Sequence, residues 1–109
     1  MRSRIFAAVT LVSMALFAAA PSAHARGGKI DGKKEFEEHC AVCHVNGGNV
    51  VNPAKTLHKK VLEANGVKSA KDIIGKMRNP GPGMTKFDRK TVSDKEAKAI
   101  AEYIMKTFK

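Results

Sequence analysis

Cys40-Ala41-Val42-Cys43-His44 spells C-x-x-C-H, the spacing that attaches a c-type haem. Two thiols one helical turn apart can each add to one vinyl group of a protoporphyrin, giving two thioethers. The residue that follows, His44, is then held beneath the iron with an imidazole nitrogen free to bind it. Other uses of the pair fit less well. A redox Cys-x-x-Cys sits in a βαβ unit, and no alternating strand-helix pattern is present. Zinc needs four ligands, yet there is no second Cys pair and His58 is the only His after the motif. A disulfide across two residues of a helix would be strained.

Before the motif comes a targeting pattern. Met1-Arg2-Ser3-Arg4 is basic, Ile5 to Ala20 is apolar apart from Thr10 and Ser13, and Pro21-Ser22-Ala23-His24-Ala25 ends in Ala-x-Ala. This is the signature of a secretory signal peptide over 1–25 with cleavage after Ala25. The apolar run is short for a membrane span, which takes about 20 residues. No Cys adjoins the cleavage site, so a lipid-modified N-terminal Cys is not expected. The expected location is the periplasm.

Cleavage leaves residues 26–109, which is 84 residues and one small domain. A chain of that size buries only about 60–65% of its unfolded surface and is marginal unaided. Both cysteines lie in the haem motif, so no disulfide framework can compensate. An apolar macrocycle held covalently can serve as the core.

The whole chain has 20 basic and 10 acidic residues, a formal charge of +10. Without Arg2 and Arg4 the balance is 18 against 10, about +8. Such an excess suits nucleic acid, an anionic membrane or an acidic protein. Export and the lack of an aromatic-studded basic motif argue against nucleic acid. Steering toward acidic partners and simple solubility both remain readings of the lysines.

Along the chain, a helix is expected from about Asp31 into the motif, with Gly32, Phe36, Cys40 and Cys43 on one face. Val45-Asn46-Gly47-Gly48-Asn49 should break it. A short helical stretch follows from His58 to Asn65, stopped by Asn65-Gly66. Ser69 caps another, with Ile73, Ile74 and Met77 as its apolar face. Asn79-Pro80-Gly81-Pro82-Gly83-Met84 cannot be helical. Ser93-x-x-Glu96 is a capping box with Val92 and Ala97 as its staple. Behind it Ala97, Ile100, Ala101, Ile104 and Phe108 make a stripe with Tyr103 beside it. The fold class is all-α, about four helices wrapped around one covalently attached haem.

What lies opposite His44 sets the function. Met77 and Met105 sit at helical spacing, where Met is usually core filling. His39 precedes the first tether and cannot easily reach the opposite face. Met84 rides on a Gly/Pro loop long enough to cross the macrocycle, so it is the expected sixth ligand. His58 and an open or water-filled position are the alternatives. A Met/His pair raises the reduction potential and leaves no coordination site for substrate or oxygen.

With these residues in place, Gly32 to about Phe108 resembles the class I c-type cytochromes, and among them the cytochrome c6 (c553) group. Gly32-x-x-x-Phe36-x-x-x-Cys40 matches the family's first helix. Asn49-Val50-Val51-Asn52-Pro53-Ala54-Lys55-Thr56-Leu57 reads almost as in photosynthetic members. Met84-Thr85-Lys86-Phe87 stands where they have Met-Pro-Ala-Phe, and Tyr103 is the aromatic of the closing helix. The resemblance implies a cytochrome c domain over 26–109, in which Gly32 and Phe36 cross the last helix near Tyr103. It also implies one haem c with an exposed edge through which electrons pass. Lys76 replaces a Gln that photosynthetic relatives place near the haem, and Thr85 replaces a Pro. Neither a photosynthetic role nor a partner is therefore carried over.

The function expected is that of a soluble periplasmic monohaem carrier, not an enzyme, moving single electrons between redox proteins. It would be a monomer without a membrane span after cleavage, meeting acidic partners transiently through a rim including Lys55, Lys59, Lys76 and Lys86. The alternatives are a haem subunit fixed to a larger oxidoreductase and, third, a sensor or peroxidase-like enzyme with an open sixth position.

Overall fold

The computed structural model describes residues 28–109; the signal segment and its cleavage site lie outside the described residues. Helix α1 (Gly32–His39) starts at Asp31, whose carboxylate accepts the Lys33 and Lys34 amides at 3.0 and 3.3 Å. The expected continuous helix is interrupted at Cys40 (φ −121°, ψ −35°), and the chain resumes as a single turn, α2 (Ala41–His44). The ladder survives the bend. The Cys40 amide donates to the Phe36 carbonyl at 2.8 Å and the His44 amide to Cys40 at 2.9 Å.

Beyond His44 the chain makes one 3-10 turn, Val45–Gly47. Helix α3 (Lys59–Ala64) ends where Asn65 Nδ2 donates to the Val61 carbonyl at 2.8 Å. Helix α4 (Ala70–Arg78) is capped by Ser69, whose Oγ accepts the Asp72 amide at 3.2 Å. Helix α5 (Asp94–Thr107) has the full capping box. Ser93 Oγ accepts from the Glu96 amide at 3.2 Å, and Glu96 Oε2 accepts from the Ser93 amide at 3.0 Å. Two opposed hydrogen bonds leave two fewer orphan donors at the helix start. No strand occurs among the described residues, and none of their helices is long and apolar enough to cross a membrane.

The core gathers the predicted stripes: Phe36 from α1, Ile73 and Met77 from α4, and Ala97, Ile100, Ala101 and Ile104 from α5, closed by Val67, Val92 and Phe108. Each large side chain removed from water contributes about 1.5–3 kcal/mol. Phe36 meets Tyr103 and Phe108 with ring centroids 5.3 and 5.5 Å apart, the tilted geometry aromatic quadrupoles prefer. Met105 departs from expectation. It is 45% exposed, because the buried face of α5 already belongs to Ala101 and Ile104.

Helices α1 and α5 touch at Gly32, where a Cβ would collide with the Ala99 carbonyl oxygen and crowd the Tyr103 Cβ. Both obstacles lie on or next to a helix backbone, so neither can swing aside. Gly32→Ala is expected to cost about 1–3 kcal/mol or more by overpacking, seen as a lower urea midpoint at unchanged slope.

Candidate functional site

Cys40, Cys43, His44 and Met84 line one open-mouthed cleft of about 330 Å³, within the ~300–1,000 Å³ of small-molecule and cofactor sites. Its apolar walls include Leu57, Leu62, Val67, Ile73, Met77, Phe87 and Ile104. These come from four separate parts of the chain, and sequence periodicity does not bring them together. Helical periodicity marks Ile73, Met77 and Ile104 as buried faces, and only apolar character marks the others.

Cys40 and Cys43 are free thiols, both half-buried, and burial pushes the Cys40 thiol up to about 11. His44 follows on the same turn. Its Nδ1 lies 2.8 Å from the Gly48 carbonyl oxygen. A carbonyl only accepts, so Nδ1 carries a proton and donates, and in the neutral ring the lone pair is then on Nε2. Fixing one ring nitrogen in this way sets the tautomer and orientation a metal-binding imidazole needs. The loop that supplies Gly48 is held at several points. The Val50 amide donates to the Cys43 carbonyl at 2.9 Å, and the Leu57 amide to Gly47 at 2.8 Å. Asn49 Oδ1 accepts from the amides of Val51 and Asn52 at 3.0 and 2.9 Å, while its Nδ2 donates to Lys55 O at 2.9 Å. An Asx turn of this sort is a local signal that sequence reading could have used.

Met84 arrives on the 79–87 loop, as expected. The loop is pinned where it leaves α4 and where it ends: the Phe87 amide donates to the Met77 carbonyl at 2.9 Å, and Arg78 Nη1 donates to Phe87 O at 3.0 Å. The same Nη1 donates to Val92 O at 2.8 Å, and Nη2 to Asp94 at 3.0 Å. Arg78 thus ties the loop that presents Met84 to the start of α5, and sequence analysis had not singled it out.

The other candidates fall differently. Met77 is buried, with its side chain on the wall. His39 also borders the cleft, but pairs with Glu35 at 3.5 Å. His58 packs edge-on against Phe108 and is not among the residues lining the cleft. Of the expected rim lysines, Lys55 and Lys76 border the cleft. Lys59 does not. It lines a separate groove between α3 and α5, because α3 turns that end of itself toward the C-terminus.

The donor set therefore fits the group the motif implies: two thiols one turn apart, an imidazole with its proton held on Nδ1, a thioether and apolar walls. An all-α chain folded around such a cleft defines a c-type cytochrome. The family described as cytochrome c oxidase, cbb3-type, subunit III matches residues 29–104. Cytochrome c6 of Rippkaea orientalis is 42% identical over 74 residues, 68% of this chain and 66% of that protein. Against cytochrome c6 of a Synechococcus strain the identity is 36% over 98 residues, 90% of this chain and 85% of that one. In structure, the chain is similar to the outer membrane cytochrome OmcF from Geobacter sulfurreducens. That match has a TM-score of 0.70 at 42% identity and covers 72% of this chain and 99% of that one. The chain belongs to the class I c-type cytochromes, and within them it is c6-like. Proteins of this kind carry one covalently bound haem c and are electron carriers, not enzymes.

Proposed function

We propose that this chain, exported to the periplasm and trimmed after Ala25, is a soluble monomer that passes single electrons between redox proteins. Cys40 and Cys43 would hold the haem through thioethers, with His44 Nε2 and the Met84 sulfur as the atoms that would bind its iron. When bound, the haem supplies a one-electron iron couple. The chain does the rest. His44 keeps its Nδ1 proton directed at Gly48 O, which leaves Nε2 as the ring nitrogen that would meet the iron. Leu57, Val67, Ile73 and Ile104 keep water from the cleft, and Met84 fills the position that substrate or oxygen would need. The single observation that carries this reading is the 2.8 Å contact between His44 Nδ1 and Gly48 O, in a cleft that both thiols and Met84 also line.

Lys55 and Lys76 at the mouth, with Lys86 exposed nearby in the chain, give the rim a positive sign that suits a transient acidic partner. The electron-transfer association rate with an acidic redox protein is expected to fall steeply as salt rises, with no carbon monoxide bound by the ferrous form. A flat salt response would assign the lysines to solubility, and ready carbon monoxide binding would show an open sixth position. A second reading has one observation in its favour. Val45 and Val50 are 53% and 60% exposed close to His44 in sequence, and an apolar patch there suits a permanent partner. A haem subunit of a larger oxidoreductase would copurify with a second chain, whereas a free carrier would not.

A further inference from the structure

Gly47 lies in the short loop between His44 and its hydrogen-bond acceptor, Gly48. It is buried, with φ +76°. A Cβ placed on it would come within 2.5 to 2.8 Å of three atoms of the Phe108 ring. The last aromatic of the chain thus lies directly against the backbone of the loop that orients the imidazole. Phe108 does not itself line the cleft. It is held by the packing of Phe36, His58 and Tyr103, with ring centroids at 5.5, 6.0 and 6.0 Å. Its own backbone is tied at both ends. The Phe108 amide donates to the Ile104 carbonyl at 3.1 Å, and its carbonyl accepts the Lys59 amide at 2.9 Å.

We infer that Phe108 is a positioning residue for the proximal ligand. By pressing on Gly47 it holds the Gly48 carbonyl at the distance where it accepts a hydrogen bond from His44 Nδ1–H. The inference rests on the His44 ligation proposed above. Beyond the backbone bonds from the Leu57 amide to Gly47, the Gly48 amide to Val45 and the Val50 amide to Cys43, the loop has little side-chain cover. Val45 and Asn46 are exposed, and Asn46 is itself in the left-handed region at φ 53°. A loop with little apolar cover opens locally at low free energy unless a neighbour seals it. Phe108 is the large buried side chain against Gly47, so removing its bulk releases this loop before it releases α5. The requirement is mutual. Only a residue without a Cβ lets the ring approach so closely, and the positive φ at the same position favours glycine a second time.

The test is hydrogen exchange of the His44 Nδ1 proton, followed by NMR in the ferrous, haem-loaded protein, together with amide exchange along α5. Phe108→Leu keeps apolar bulk but loses the flat face. It is expected to speed Nδ1–H exchange about tenfold while the amides of α5 stay protected. Ile100→Val trims a fully buried core residue away from the loop, and should leave that proton within about twofold of wild type. Gly47→Ala should reproduce the Phe108→Leu effect, and the double variant should exchange no faster than Gly47→Ala alone, since both disrupt one contact. Equal acceleration in Phe108→Leu and Ile100→Val, or none in either, would overturn the positioning role. A His44 ring proton lacking haem ring-current shift already in the wild-type protein would overturn the ligation and this inference with it.

Discussion

Met84→Ala is expected to remove the weak far-red sulfur-to-iron absorption band of the oxidised protein and to lower its reduction potential. It should also allow the ferrous protein to bind carbon monoxide. Thioether sulfur favours ferrous iron, so losing it should lower the potential by on the order of 0.1 V, a fraction of the ~0.8 V that axial ligation spans. The fold should tolerate the change. Met84 is only half-buried, and the loop bearing it is fixed by contacts that do not involve its side chain, at Phe87 and Arg78. The core below it, with Ile73 and Met77, stays intact. The measurement is an absorption spectrum of both proteins in both oxidation states, followed by a carbon monoxide titration. An unchanged far-red band would move the sulfur ligand to another residue. Met77 is the methionine already on the cleft wall.

The second large effect belongs to Arg78, whose guanidinium donates to two carbonyls and one carboxylate. Its side chain is 16% exposed, so water cannot readily take over when it is removed. Leaving the Phe87 and Val92 carbonyls without this donor should cost about 2–4 kcal/mol in Arg78→Ala, at ~1–2 kcal/mol, the lower part of the usual range, for each part-buried group left unpaired. For a domain of this size that corresponds to a melting temperature lower by roughly 10–30 °C. Arg78→Lys should recover little, since an ammonium cannot reproduce the planar fork that reaches several acceptors at once. The far-red band should weaken in Arg78→Ala as well, because the same contact anchors the far end of the Met84 loop. Destabilisation without any change in that band would make Arg78 a fold residue only.

Arg78 also sets an acid limit. Its hydrogen bond is the main reason the Asp94 carboxyl titrates below its ordinary value. A carboxylate depressed in the folded state contributes stability above its unfolded pKa, and loses that contribution as pH falls through the folded value. The folded protein should weaken progressively below about pH 4, and Arg78→Ala should show a shallower acid loss.

Much of this molecule was readable from local pattern. C-x-x-C-H carries its chemistry in five adjacent residues, and Ser69 and Ser93 mark helix starts because a cap acts within one turn. The α5 stripe is legible for the same reason, since 3.6 periodicity is a property of the helix alone. What escaped is nonlocal. Arg78 reaches Val92 and Asp94, 14 and 16 residues on, and nothing near position 78 announces it. The bend at Cys40 was missed because the 31–44 segment reads as locally helical and no residue beside Cys40 marks a break. Lys59 was expected beside the haem because charge shows in a sequence while facing does not. Met84 was singled out for a reason that is half local, a loop stiffened by prolines and loosened by glycines. Its arrival on the same cleft as His44 depends on contacts at both ends of that loop.

The account stands on covalent attachment of one haem at Cys40 and Cys43. Its most direct measurement is the intact mass of the exported protein, made with haem-attaching machinery and denatured before weighing. The expected result is the mass of residues 26–109 plus one haem that survives denaturation, and that is lost when both cysteines are replaced by alanine. A bare polypeptide mass, or a haem that extracts from the wild-type chain, would contradict it.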